Sequence, residues 1–267
     1  MRNKFIGIFD SGFGGLDILQ SIVRKLPEYN YIYLGDSVNA PYGDRPQETI
    51  HGFTKKAVDF LFDKDCGVVI LACNTASSES LRKIQQAYGA DKKVLGVLIP
   101  AAEEAVKMTK NKKIGVMATE GTVRSGAFER ELKKVDPQIE VFQQACPLLV
   151  PIVESGEQDS EKTEEILKEY LQPLLEESID TLILGCTHFG ILKNKIKRIV
   201  GEGVYIIGEG ETVPKKLTDY LRRHLEIEKN LAKEGARKFY TTGDVEQFNE
   251  LGSRFFGQEI KAEKVGL

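Results

Sequence analysis

The chain has 267 residues, 41% of them apolar and 29% charged, with a formal net charge of −3. That is ordinary globular composition, and the length suits one large domain or two smaller ones that fold without staples. Lys and Arg are interspersed with Asp and Glu and no apolar run reaches membrane-spanning length, so neither nucleic acid nor a membrane is an expected partner.

After Met1-Arg2-Asn3-Lys4 a strand is predicted at Phe5–Phe9, too early for an export signal, so the chain is expected in the cytoplasm. Short runs rich in Ile, Val and Leu predict further strands at Tyr31–Leu34, Val68–Ala72, Val94–Leu98, Lys113–Met117, Glu140–Phe142, Thr181–Leu184 and Val204–Ile207. Amphipathic spacing predicts helices at Leu16–Lys25, Glu48–Phe62, Ser77–Tyr88 and Thr163–Glu177. The tail predicts a strand at Lys238–Thr242 and a helix at Val245–Phe256. Continuous rather than alternating apolar strands imply burial on both faces. Strand and helix in alternation make a mainly parallel sheet covered on both sides, with ligands beyond the carboxyl ends of the strands.

The residues at those ends repeat. Val69-Ile70-Leu71-Ala72-Cys73-Asn74-Thr75 parallels Leu182-Ile183-Leu184-Gly185-Cys186-Thr187-His188, and Ile6-Gly7-Ile8-Phe9-Asp10-Ser11-Gly12 parallels Ile114-Gly115-Val116-Met117-Ala118-Thr119-Glu120-Gly121. The chain is therefore expected to form two pseudo-symmetric, doubly wound α/β domains, residues 1–98 with 208–267 and residues 99–207. Crossovers fall near Leu98–Pro100 and Ile207–Glu209, and the active site lies in the cleft between the domains.

Four cysteines, at 66, 73, 146 and 186, form no CxxC pair and no Cys/His cluster of zinc spacing. In a reducing compartment they are free thiols, and a free cysteine is by default a small buried hydrophobe. Cys66 and Cys146 keep that default. Cys73 and Cys186 each follow a strand and open a helix, where unpaired N–H groups and the helix dipole favour an anion and lower a thiol pKa. Two such thiols can invert a carbon: one takes a proton from one face, the other gives a proton to the opposite face. Hydrolysis or acyl transfer needs only one nucleophile. The glycines at 12, 14 and 15 let backbone approach a small ligand. They are no phosphate loop, because G-x-G-x-x-G from Gly12 requires glycine where Asp17 stands.

Nearly every segment from Phe5 to Phe256 resembles the glutamate racemase family of the wider Asp/Glu racemase superfamily. The motifs that carry the likeness are Asp10-Ser11-Gly12-Phe13-Gly14-Gly15-Leu16, Pro41-Tyr42-Gly43, Cys73-Asn74-Thr75-Ala76-Ser77, Cys146-Pro147-Leu148 and Gly185-Cys186-Thr187-His188. The resemblance implies that Cys73 takes the proton from the D-isomer and Cys186 from the L-isomer. It further implies that Asp10 assists the first thiol and His188 the second, with Glu154 as a further catalytic residue. Ser11, Pro41, Tyr42, Gly43, Asn74, Thr75, Thr119, Thr122 and Thr187 fall on substrate-holding positions, together with Asp10 and His188. It implies glutamate as the small-molecule substrate, no cofactor, no metal, a homodimer, and D-glutamate made for peptidoglycan.

Taken as residues, His188 beside a thiol can exchange a proton with it near neutral pH. Asp10 is also a candidate helix cap and Glu154 a candidate solvated helix end. Family members that prefer aspartate tend to have Glu where His188 stands, so glutamate is favoured over an aspartate racemase. A non-catalytic amino-acid-binding module would make both cysteines packing residues. Two positions depart from the family pattern. Pro100-Ala101, after Ile99, replaces Pro-Gly, and Ala118 replaces a glycine, so backbone strain is expected there if the local φ is positive.

Overall fold

The computed structural model describes residues 4–267. Strands and helices alternate in chain order. The first stretch runs β1 (Phe5–Asp10), α1 (Gly15–Lys25), β2 (Tyr31–Gly35), α2 (Gln47–Asp63), β3 (Cys66–Leu71), α3 (Asn74–Tyr88), β4 (Lys93–Gly96) and α4 (Leu98–Met108). The second runs β5 (Lys113–Ala118), α5 (Glu120–Ser125), α6 (Ala127–Val135), β6 (Glu140–Ala145), α7 (Leu149–Glu154), α8 (Glu161–Glu176), β7 (Thr181–Gly185), α9 (Lys193–Val200) and β8 (Tyr205–Ile207). The tail adds α10 (Glu209–Arg223), α11 (Leu225–Glu228), β9 (Arg237–Thr241), α12 (Val245–Phe256) and β10 (Ala262–Lys264).

Two sheets result, ordered β10-β9-β2-β1-β3-β4 and β6-β5-β7-β8. The strand pairs are parallel. The pattern β2-β1-β3-β4 in the larger sheet recurs as β6-β5-β7-β8 in the smaller, so the sequence repeat is also a repeat of topology. In each, strand order reverses around one strand, β1 or β5. Such a switch point leaves a crevice at the carboxyl ends of the flanking strands. The chain places Asp10 and Cys73 at the first crevice, after β1 and β3. It places Thr119 and Cys186 at the second, after β5 and β7.

Burial explains the strands. Ile6, Ile8 and Phe9 of β1, and Leu182, Ile183 and Leu184 of β7, are buried on alternate sides, as in sheets covered on both faces. One apolar cluster joins the sheets, running from Ile6, Ile8 and Leu16 to Met117, Leu182 and Leu184. Helix α10 packs against both α1 and α4, bridging the halves. No helix among the described residues is long and apolar enough to cross a membrane.

Several boundaries differ from the sequence expectation. The apolar run at Val94–Leu98 is divided, with the strand ending at Gly96 and Leu98 opening α4; an apolar run alone does not distinguish strand from buried helix. Strand β6 continues three residues beyond Phe142, because as the edge of its sheet it is only half-buried and accommodates Gln143 and Gln144. Strand β10 has no apolar signature; it pairs with β9, and Asn249 accepts its Ala262 N–H at 2.8 Å. The segment after Cys186 is a four-residue 3-10 turn rather than an α-helix. The strain anticipated at the two alanines does not arise. Ala101 is helical within α4 and Ala118 ends β5, while among the described residues the non-glycine positions of positive φ are Asp65, Lys112 and Ser178.

Candidate active site

The two crevices open into one cavity of about 320 Å³, within the range of small-ligand sites. Cys73 and Cys186 both line it, with Ser11, Pro41, Tyr42, Gly43, Asn74, Thr75, Thr119, Thr187, His188 and Glu154. Of the expected site residues, Asp10 and Thr122 do not reach its surface; both are fully buried behind it.

Cys73 is the N-cap of α3, and its sulfur accepts the Ala76 N–H at 3.4 Å. The Ser11 hydroxyl stands 3.3 Å from the same sulfur. Asp10, the residue expected to assist this thiol, accepts the Gly12 N–H on Oδ2 at 2.9 Å and so pins the loop that carries Ser11. Burial pushes the Asp10 carboxyl up, and the charge of His188 and the Gly12 N–H pull it down.

Cys186 lies 3.9 Å from His188 Nδ1, and His188 Nε2 is 3.0 Å from Glu154 Oε1. Glu154 is indeed a helix end, a third exposed, but its carboxylate faces inward onto the buried imidazole. The Phe255 ring packs edge-on to His188, with centroids 5.5 Å apart. The arrangement is a thiol, an imidazole and a carboxylate in a row.

The expectation of depressed thiol pKa values is overturned. Burial pushes the Cys73 thiol up to about 11, and the Asp10 charge adds to it, against the Ser11 and Ala76 hydrogen bonds. Burial likewise holds Cys186 well above the ordinary thiol range, against the His188 N–H. Desolvation of a fully enclosed anion outweighs a helix terminus when no cation is present. Cys66 and Cys146 are buried with raised thiols too, but Cys146 also lines the cavity wall, donating weakly to the Gln144 carbonyl at 3.5 Å.

Hydroxyls join the two sides. Thr75 Oγ1 is 2.9 Å from Thr119 Oγ1 and 3.4 Å from Thr122 Oγ1, so Thr122 holds the pair from behind. The loop carrying Tyr42 and Gly43 is fixed at both ends. The Gly43 carbonyl accepts the Gly121 N–H at 2.8 Å. At the other end Asp36, fully buried at the end of β2, accepts Tyr42 OH at 2.6 Å, Thr242 OH at 2.7 Å and Asn39 Nδ2 at 3.1 Å. Asp36 was not legible in the sequence, since its partner Thr242 lies in the distant tail. Ser37, Glu120, Pro147, Val150 and Gln247 also line the cavity and were not anticipated.

Gly14 and Gly15 serve the protein rather than a ligand. A Cβ on Gly14 would fall 2.7 Å from His188 Nδ1, and one on Gly15 would fall 2.7 Å from Asp10 Cβ. Glycine at 14 is what lets the loop after β1 touch the turn after β7, and glycine at 15 lets α1 start close against β1. Among the described residues no group of three or more His, Cys, Asp or Glu side chains is arranged to hold a metal.

Residues 6–213 match the Asp/Glu/hydantoin racemase family. The chain is 42% identical to a glutamate racemase of Enterococcus faecalis over 270 aligned positions, covering 100% of this chain and 97% of that one. A crystal structure of a glutamate racemase isoform from Bacillus anthracis superposes with a TM-score of 0.93 at 37% identity, covering 100% of this chain and 99% of that chain. A glutamate racemase from Francisella tularensis, solved in complex with D-glutamate, has a TM-score of 0.90 at 32% identity, covering 100% and 98%.

Proposed function

The chain belongs to the Asp/Glu/hydantoin racemase family, and on that premise we propose that Cys73 and Cys186 are the acid–base pair that inverts the α-carbon of glutamate. Its activity is glutamate racemisation. The observation that carries the mechanism is the arrival of both thiols, from equivalent strand ends of a repeated topology, in one cavity sized for a small amino acid.

From D-glutamate, the Cys73 thiolate removes the α-hydrogen as a proton, and the C–H electron pair delocalises into the substrate carboxylate. The Cys186 thiol then delivers its proton to the opposite face. Cys73 ends as a thiol and Cys186 as a thiolate, which is the form that accepts L-glutamate. The cycle closes by a reverse turnover or by proton exchange with solvent. Neither a cofactor nor a metal takes part in this route. The substrate ammonium lowers the thiol pKa values that burial has raised, so substrate in place stabilises the thiolate that reacts. Ser11, Asn74, Thr75 and Thr187 hold the substrate; His188, backed by Glu154, moves protons to and from Cys186.

The two sheets support a division at residues 1–98 with 208–267 against 99–207, with substrate in the cleft. Resemblance to the family supports a cytoplasmic homodimer whose D-glutamate enters peptidoglycan. The test is racemisation in deuterated water by purified, cofactor-free protein. Solvent deuterium should appear at Cα of the inverted product; retention of the original hydrogen there rules out the mechanism.

A further inference from the structure

A second cavity, of about 180 Å³, shares Cys186 and Thr187 with the substrate cavity and is lined beyond them by Asp17, Lys193 and Glu209. Glu209 is the first residue of α10 and follows β8, the neighbour of β7, so the fold delivers it to the same sheet edge as Cys186. Its side chain is only 5% exposed, and its Oε1 has no hydrogen-bond partner among the described residues. Asn74, which lines the substrate cavity, is buried with both Nδ2 and Oδ1 likewise unmatched. The two side chains are neighbours: burial holds the Glu209 carboxyl well above its ordinary range, and the adjacent Asn74 amide draws it down only in part. Three unmatched polar atoms in two adjacent buried side chains call for an explanation.

The charges around Glu209 do not supply a cation. Asp17 of α1 and Asp10 of β1 face it and oppose its ionisation, as burial does more strongly. Lys193 of α9 is ion-paired with Glu211 instead. An ionised Glu209 would also oppose the thiolate that Cys186 must become. A neutral carboxyl removes both conflicts, and unlike a carboxylate it has an O–H to donate.

We propose that Glu209 is a positioning residue: as a protonated carboxyl it donates to Asn74 Oδ1, turning Asn74 Nδ2 into the substrate cavity as a fixed donor to the substrate carboxylate. An ionised Glu209 would instead accept from Nδ2 and turn the amide donor away from substrate. The side chain thus couples helix α10, which follows the last strand of the smaller sheet, to a substrate contact on α3, and its neutral state leaves Cys186 free to carry charge. The substrate part rests on the racemase reading above; the protonation state does not.

Two measurements test this. The infrared difference between wild-type and Glu209→Gln protein at neutral pH should contain the carbonyl stretch of a protonated carboxylic acid, whatever reaction the protein catalyses. Kinetics should then show Glu209→Gln, which keeps a donor for Asn74 and no charge, within about twofold of wild type in KM. Glu209→Ala should raise KM on the order of tenfold with a smaller change in kcat, the loss expected of one oriented hydrogen bond. Adding Glu209→Ala to Asn74→Ala should cost little more than Asn74→Ala alone, because the two act through one contact. No acid carbonyl band, or a Gln variant as damaged as the Ala variant, or additive losses in the double variant, overturns the assignment. An intact band and coupling in a protein that fails to exchange the α-hydrogen would instead indict the two-thiol reading alone.

Discussion

Cys73 and Cys186 follow matching strands, yet their surroundings prepare them differently. Cys73 caps a 15-residue helix and is met by a backbone N–H and the Ser11 hydroxyl. Fixed dipoles of that kind stabilise a thiolate without titrating. Cys186 opens only a four-residue 3-10 turn and makes no N-cap hydrogen bond; the His188 backbone N–H is the one backbone group that eases its ionisation, against burial. What it has instead is His188 and, behind it, Glu154, groups that can themselves carry and pass a proton. A repeated strand thus brings two equivalent atoms to one cavity, while the residues after it surround one with fixed dipoles and the other with an imidazole and a carboxylate.

The comparison breaks most visibly at the thiols. Cys73→Ser and Cys186→Ser should each lower kcat/KM by about 10³-fold, the usual scale for removing a general acid or base. The loss should be equal in both directions, since the enantiomers have an equilibrium constant of unity; steady-state assays from both substrates check this. Next comes the relay. Glu154→Gln removes a hydrogen bond to a charged partner worth about 1.5–3 kcal/mol, so kcat should fall on the order of tenfold or more, while the wild-type fold, followed by circular dichroism, persists. An equal effect of Glu154→Gln and wild-type rates in His188→Asn would show that the row of three groups is not a relay.

Asp36→Ala frees Tyr42, Asn39 and Thr242 at once and leaves the Tyr42 and Thr242 hydroxyls buried without their acceptor. It should destabilise the protein by about 1–3 kcal/mol and raise KM more than it lowers kcat, measured by denaturant unfolding and kinetics together. Smallest is Ser11→Ala. Because the Ser11 hydroxyl pulls the Cys73 thiol down from a value that burial raises, its loss moves that thiol further up. The rise of D-glutamate kcat/KM with pH should shift to higher pH in this variant and stay put for variants on the Cys186 side. A shift toward lower pH would reverse the assigned role of the hydroxyl.

The strands and the thiol pair were legible because each is a local pattern: continuous apolar runs such as Val68–Leu71 and a repeat that ends twice in cysteine. Properties that depend on distant chain were not. Asp36 anchors the Tyr42 loop through Thr242, and Glu209 lies beside Asn74 from far along the chain, placements that no local spacing reveals. The thiol pKa direction was misjudged for the same reason. Helix position is written in the sequence next to each cysteine, but enclosure by both halves is a property of the assembled cleft. Gly14 and Gly15 drew attention as a ligand loop, yet their bareness is required by His188 and by Asp10.

The central claim is that each sulfur serves one face of the substrate. Incubating Cys73→Ser and Cys186→Ser separately with each enantiomer in deuterated water isolates those faces. Cys73→Ser, keeping Cys186, should wash deuterium into L-glutamate and leave D-glutamate unlabelled, and Cys186→Ser should do the reverse. Labelling of both enantiomers by either variant, or of the opposite one, contradicts the account.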